Sequence, residues 1–549
     1  MLTRPAARAQ QRGGDKSGDK AEKATDTGHK FRVYGYILSY CYASPPQEQD
    51  ESTAMTQITG YATPEATKAY ADRMWAANPR LSPDGWRIFD GLTVAKIGTG
   101  TYRMAGQDDQ TPAVVHALTH GLNLVDTAAN YMGGEAESWL GQVLGAAMGQ
   151  GAVSREELIL VSKGGYIQGQ DLASLHAAPL PETAVFSPQL HHCIHPDFLA
   201  RQLAQSRARL GVATLDVFLL HNPEYQLQHK VQNGMPLDQA RELFYDQITR
   251  AFTFLETACK EGLITRYGVS SNTLGMPAHY EDFVDLARLC ACADAAAQTA
   301  WGRRKRSLFR VIQLPLNLLE LGALREANTN QQTFEGPKPA TTLELAAVRH
   351  MAVMVNRPLN ALLPNGQMRR LADAPDDAGT RLAAAAEELT EVEHSLIQAA
   401  DGVWPQDLPT IGYHWHDLTN QLNGAIHTDQ VCQSYLRPQA AAVVDWIADA
   451  RLKNTYASAY LHFEKCLKSW ALSQEAEALS SLRAELHTRL PQNWHGLPLQ
   501  QLALNALAST PGVTCVISGL RSPTYVAEAL ELMEKGDFPD AAQVLGAAA

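Results

Sequence analysis

Hydrophobic positions along the 549 residues fall into a repeating pattern. Short apolar runs, centred near residues 94–100, 122–126, 158–163, 215–221, 266–271, 309–314, 351–357 and 513–518, alternate with stretches of helical periodicity. Runs such as Leu158–Val161 and Val217–Leu220 show no polar alternation, as expected of strands buried on both faces. Eight such strands with helical crossovers predict an α/β chain closed into a (β/α)8 barrel. Ahead of the first strand, TPEATKAYADRMW is helical and GWRIFDGLTVAKIGTGTY reads as a hairpin leading into it.

The rhythm breaks once. After the seventh strand, MAVMVNRPL, about 140 residues intervene before the helix LPLQQLALNALAS, far more than a loop holds. Segments such as RLAAAAEELTEVEHSLIQAA and AAAVVDWIADARL are rich in helix formers. Because CVISGLRSPTYVAEALELM follows with an eighth strand and its helix, residues 366–497 form a helical insertion rather than a carboxy-terminal domain. Barrel material occupies residues 55–365 and 498–549. Residues 1–54 are expected to be a disordered extension, since at least the first 30 contain too few apolar side chains to offset the entropy of ordering.

Charge and cysteine usage narrow the class. Acidic residues outnumber basic ones, 58 to 46, for a net charge of −12, which argues against a broad nucleic-acid surface. No run of about 18 uncharged apolar residues is present, so a soluble protein with no membrane span is expected. The cluster Arg303, Arg304, Lys305, Arg306 reads as a charged turn before a strand. Cysteines 41, 193, 259, 290, 292, 432, 466 and 515 show no CxxC spacing and suit a reducing, cytoplasmic setting. Organellar targeting by the Arg-containing amino terminus stays open. HHCIH (His191–His195) and HWH (His414–His416) lack a second ligand pair, so no metal is expected.

The stretch GLNLVDTAANYMGGEAESWLG places Asp126 where a strand ends and Tyr131 five residues on. LILVSKGG ends its strand in Lys163, and LDVFLLHNPE ends the next in His221. Loops after barrel strands converge on one face, so these groups can meet. A free tyrosine ionises near pH ~10 and needs a neighbouring cation to donate its proton readily; Lys163 is suited to that, with Asp126 to balance it. A neutral His221 is suited to orienting a carbonyl oxygen.

The order Asp, Tyr, Lys, His at consecutive strand ends resembles the aldo-keto reductase family, TIM barrels that reduce carbonyls with NADPH. The resemblance spans about residues 86–365 and 498–532. It implies an oxidoreductase acting on a small aldehyde, ketone or alcohol, with catalytic Asp126, Tyr131, Lys163 and His221. It further implies a carboxamide site at Ser270, Gln313 and either Ser271 or Asn272, and a ribose loop at Gly100, Thr101 and Tyr102. An adenosine-phosphate segment is implied at Gly519, Arg521 and Ser522. Arg357, at the root of the insertion, is placed to meet the pyrophosphate. NADP is the implied cofactor, with NAD possible, because Tyr525 and Ala529 stand where the family often has Gln and Asn facing the adenosine. Asn356 and Arg357 precede Pro358, where many members stack an aromatic residue on the nicotinamide. Substrate identity and oligomeric state are not encoded in these motifs. An alternative is a cofactor-binding regulatory subunit that docks through residues 366–497 and would show a large exposed apolar face there.

Overall fold

Strand alternation decides which side chains enter a closed barrel, and in this chain it sorts them cleanly. A computed structural model describes residues 57–546, apart from 108, 169–170, 173–179, 303–305, 364, 375–376, 401–403 and 406–407. Expectations for residues 1–54, and for Arg303, Arg304 and Lys305, lie outside the described residues. The barrel strands are β1 (Ile97–Gly100), β2 (Leu124–Asp126), β3 (Ile159–Gly164), β4 (Leu215–His221), β5 (Ile264–Ser270), β6 (Phe309–Pro315), β7 (Ala352–Asn356) and β8 (Cys515–Ser518). They pair in parallel and in chain order, and β8 closes on β1.

Side chains at every second position form the barrel interior: Leu124, Ile159, Val161, Val217, Leu219, Val311, Ala352, Met354, Cys515 and Ile517. Their odd-phase neighbours, among them Leu160, Phe218, Leu220, Ile312, Val353 and Val516, face outward into the layer packed by helices. A hairpin, Trp86–Phe89 with Leu92–Ala95, plugs the floor, and its Phe89, Leu92 and Val94 pack against the interior set. Gly98 faces inward, where an added Cβ would stand 2.9 Å from Cys515 Sγ and Leu124 Cδ2, so the narrow interior has no room for a side chain.

Between β7 and β8 lie the helices Ala378–Ala399, Gly424–Val431, Arg437–Trp446, Ala450–Ser473 and Ala476–Arg489. AAAVVDWIADARL is not one helix as its composition predicts. Its first part ends at Trp446, Ile447 turns extended (ψ 123°), and Asp449 starts the next helix by accepting from the Leu452 N–H. The inserted helices also divide by core. Leu382, Leu389, Cys432, Val443, Tyr456, Phe463 and Leu467 belong to a core of their own. Leu479, Leu482, Leu486 and Trp494 instead join the outer core of the barrel.

Small sheets add to the loops: Tyr166–Ile167, Ala184–Ser187 and Leu190–His192 after β3, Thr329–Thr333 with Gly336–Ala340 after β6, and Asn360–Leu362 with Met368–Arg370 after β7. Among the described residues, no helix is long and apolar enough to cross a membrane.

Candidate active site

The interior phase continues to the strand ends, where it changes chemistry. Leu124 is followed in phase by Asp126, Val161 by Lys163, Leu219 by His221, Val311 by Gln313 and Met354 by Asn356. Register brings these ends to one level: Gly100 lies beside Asp126, His221 beside Ser270, and Ser270 beside Gln313. The loops that leave this face carry left-handed non-glycine residues, Arg103 (φ 61°), Met132 (φ 51°), Asn222 (φ 49°) and Arg357 (φ 51°). Such strain persists where surrounding structure enforces it. At Met132 the left-handed turn continues through Gly133 and Gly134 and fixes Tyr131 at its start.

Lys163 is fully buried and donates to Asp126 Oδ2 at 2.7 Å, to the Thr127 carbonyl at 2.8 Å and to the Tyr131 hydroxyl at 3.2 Å. Asp126 Oδ1 accepts from Gln313 Nε2 at 2.8 Å, and Gln313 Oε1 accepts from Ser270 Oγ at 3.1 Å. The rings of Tyr131 and His221 meet edge to face, 5.9 Å between centroids. Burial acts to lower the Lys163 pKa, but Asp126 and Tyr131 more than offset it, and the ammonium is held above its ordinary value. The Tyr131 phenol is raised, because burial outweighs the opposing charge of Lys163. The expectation that Lys163 brings the phenol toward working pH is thus corrected: Lys163 does lower it, but burial raises it more. His221 falls well below the usual imidazole range through burial, with the Lys163 charge adding to it, so it is neutral at pH 7.

The other candidates are less uniform. Thr101 is buried and donates from its backbone N–H and its hydroxyl to the Asp126 carbonyl. Tyr102 is exposed, its ring 5.2 Å from that of Tyr131. Ser271 is buried and shares a hydrogen bond with Thr273, whereas the Asn272 side chain is exposed. Of the two alternatives, Ser271 is thus the buried one. Arg357 is tied to Glu320 at 2.7 Å. Gly519 and Arg521 follow β8, and Ser522 caps the helix Pro523–Glu534. Tyr525 is exposed and Ala529 fully buried.

Residues that motif reasoning passed over complete the wall. Asn356 Nδ2 donates to Gln313 Oε1 at 3.3 Å, and its Oδ1 is buried without a partner among the described residues. Its phase with Ala352 and Met354 was the available signal. Tyr166 packs edge to face on His221, 4.8 Å between centroids, and its hydroxyl accepts from Asn222 Nδ2. His192 Nε2 bonds the His221 carbonyl at 2.8 Å, and burial pushes its pKa down to about 4. Glu224 is buried, accepts the Asn272 N–H at 2.9 Å, and is raised by burial to about 7.

Part of the chain is similar to known proteins. Residues 96–283 match the model of the Aldo/keto reductase family. The chain is 42% identical over 181 residues to 2,5-diketo-D-gluconic acid reductase B of Corynebacterium sp., covering 33% of this chain and 53% of that protein. It is 32% identical over 161 residues to 6-dehydroglucose reductase of Novosphingobium aromaticivorans, covering 27% and 44%. The chain thus spans about half the length of the curated relatives it matches. Among solved structures, the holo form of aldo-keto reductase AKR11C1 from Bacillus halodurans aligns over 84% of this chain and 96% of its own, at 15% identity and a TM-score of 0.42. The match to the aldo/keto reductase family thus runs from β1 through β5, and the closed barrel carries the same fold on through β8.

Proposed function

We propose that this protein is a nicotinamide-dependent oxidoreductase that interconverts a carbonyl and an alcohol on a small molecule. The observation that carries the reading is the buried relay Asp126–Lys163–Tyr131 with neutral His221 beside it. The pocket wall fits the cofactor's amide, because the orphaned Asn356 Oδ1 and the Ser270 and Gln313 groups offer it hydrogen-bond partners. When bound, the nicotinamide would supply or accept the hydride. Tyr131 holds the proton at its phenol oxygen and delivers it to the carbonyl oxygen; the Lys163 ammonium stabilises the phenolate that remains, and Asp126 fixes that ammonium. His221 orients the carbonyl oxygen. A raised Tyr131 pKa keeps the acid loaded at neutral pH, which favours reduction there, with oxidation gaining as pH rises.

Two relatives are named for oxidised sugars, so polyhydroxylated aldehydes and ketones are the first substrates to try. The test follows NADPH oxidation across a carbonyl panel. Tyr131→Phe is expected to lower turnover by about 10²- to 10⁴-fold, the range for a positioned acid, and to leave cofactor affinity intact. Unchanged turnover would refute the role of Tyr131. The docking alternative would use the exposed large apolar residues described between 366 and 497, which are Tyr413, Tyr435 and Leu461.

A further inference from the structure

Arg306, the described member of the charged run ahead of β6, lines a pocket together with Arg310 and Arg349. Ser307 and Met351, which stand just before β6 and β7, and Cys290 of the helix Leu286–Trp301 help to wall it. The pocket therefore lies where strands begin, between sheet and helix, away from the strand ends that carry Gln313 and Asn356. Arg306 Nη2 donates to the Arg349 carbonyl at 2.7 Å, and Arg349 pairs with Asp294, which also lines the pocket, at 2.9 Å. Arg310 differs from both. It is 8% exposed, and among the described residues it has neither a hydrogen bond nor an ion pair.

A guanidinium keeps its proton at any working pH, and a buried charge without a partner is strongly destabilising. The acids whose charge reaches Arg310 are committed elsewhere. Asp90 pairs with Arg266 at 2.6 Å, and Glu256 accepts from the Ser307 hydroxyl, the Leu308 N–H and the Trp301 indole. Three guanidiniums and one carboxylate leave the pocket with two positive charges. A carboxylate ligand balances half of that, whereas a phosphate group carries about −1.5 to −2 at pH 7. Guanidinium forks also match phosphate oxygens in pairs. Even with its open mouth counted, the pocket holds about 240 Å³ of empty space, below the ~300–1,000 Å³ of pockets that take drug-sized ligands. One phosphate group is therefore the right size, and a dinucleotide is not.

We propose that Arg310, with Arg306 and Arg349, forms a phosphate-binding site at the floor of the barrel, which takes inorganic phosphate or the phosphate of a small monoester. Arg310 supplies the buried charge, and the exposed Arg306 and partly exposed Arg349 supply the rim. A group bound there ties the starts of β6 and β7 to the helix Leu286–Trp301, so it acts on stability and takes no part in the chemistry at the other face.

The experiment titrates sodium phosphate into full-length protein by calorimetry, in phosphate-free buffer. Arg310→Met keeps the bulk and removes the charge; it should weaken this phosphate at least about a hundredfold, as expected for a charge in partly desolvated surroundings. Without phosphate the variant should unfold in urea no earlier than wild type, since an unpaired buried charge has been exchanged for an apolar chain. Arg306→Gln, at an exposed position, should weaken binding about three- to tenfold, and it decides the matter if Arg310→Met does not fold. Arg521→Ala, on the catalytic face, should leave this phosphate bound. Glycerol phosphate in place of inorganic phosphate identifies the source: the tighter of the two is the ligand, and either order supports the site. Wild-type protein that binds no phosphate, or loses it equally to chloride at the same concentration, overturns the proposal. So does affinity unchanged in Arg310→Met or, where that variant fails to fold, in Arg306→Gln. A phosphate lost in Arg521→Ala and kept in Arg310→Met belongs to the catalytic face and overturns it as well.

Discussion

Replacing Asp126 with Asn tests the relay at its most buried point. The Asp126 side chain is 5% exposed and that of Lys163 0%. One Asp126 oxygen receives Lys163 and the other Gln313, both donors. An Asn side chain has one oxygen and one N–H₂ group, so one donor must face another, and whichever way the amide turns Lys163 loses its charged partner. Removing one partner of a buried pair costs roughly 3–5 kcal/mol. The ceiling is set independently, because Lys163 can escape by losing its proton; from an ordinary pKa of ~10.4 this costs about 4.6 kcal/mol at pH 7. In wild type the raised Lys163 pKa contributes stability that is complete below the unfolded pKa and is lost as pH rises through the folded one. In the variant the folded pKa falls below the unfolded value, so the sign reverses and the deficit narrows as pH rises from 7 toward 10. Urea unfolding of wild type and Asp126→Asn at pH 7 and 9 measures this, and Asp126→Asn with Lys163→Met should recover part of the loss. A deficit under about 1 kcal/mol at pH 7, or one that does not change with pH, would refute the reasoning.

Further outcomes follow from single positions. Gly141 sits where the helices Glu135–Gly149 and Pro196–Leu210 touch, and an added Cβ would stand 2.4 Å from the Arg209 carbonyl oxygen, so Gly141→Ala should destabilise by ~1–3 kcal/mol in thermal unfolding. On the same helix, Gly145→Ala meets nothing within 4 Å and should stabilise by about 0.5–1 kcal/mol. Glu224 is raised to about 7, so its unfolded carboxyl ionises first and stability falls as pH rises from the unfolded pKa to about 7. Glu224→Gln should therefore gain in melting temperature over wild type more at pH 8 than at pH 5; an equal gain at both would exclude ionisation as the cause. If the insertion covers the cofactor, limited proteolysis between residues 366 and 497 should slow when NADPH is added, and cleavage indifferent to saturating cofactor would rule out that role.

Legibility from sequence tracks how local the cause is. Barrel strands were readable because burial on both faces leaves continuous apolar runs, and each ends in a side chain whose inward phase is a matter of counting. Asp126, Lys163 and His221 inherit their position from Leu124, Val161 and Leu219 in this way. Asn356 obeys the same rule through Ala352 and Met354. The direction of the Tyr131 pKa was not readable, since it depends on how much of the surrounding chain excludes water and not on Lys163 alone. Glu224 carries no local signal, because its partner Asn272 is 48 positions away. Arg370 and Asp429 are 59 positions apart, and no local pattern links them.

The insertion looks uniform in composition, yet it packs in two ways, and the difference bears on how it moves. Residues 378–467 hold a hydrophobic core of their own, whereas the helix Ala476–Arg489 gives Leu479, Leu482 and Leu486 to the core of the barrel. Arg483 and the Leu499 N–H both bind Asp373, which ties that helix to the barrel helix that follows. A segment anchored at one end and self-contained at the other can shift as a body without exposing barrel core. Arg370 of the hairpin Met368–Arg370 and Asp429 of the helix Gly424–Val431 form an ion pair, and Glu475, just ahead of the anchored helix, accepts from the N–H groups of Arg370 and Ala425. A displacement of the self-contained part would thus act on this contact. The proteolysis experiment therefore gains from one variant: protection by NADPH that disappears in Asp429→Asn would place the hinge at that ion pair, and protection that persists would place it elsewhere.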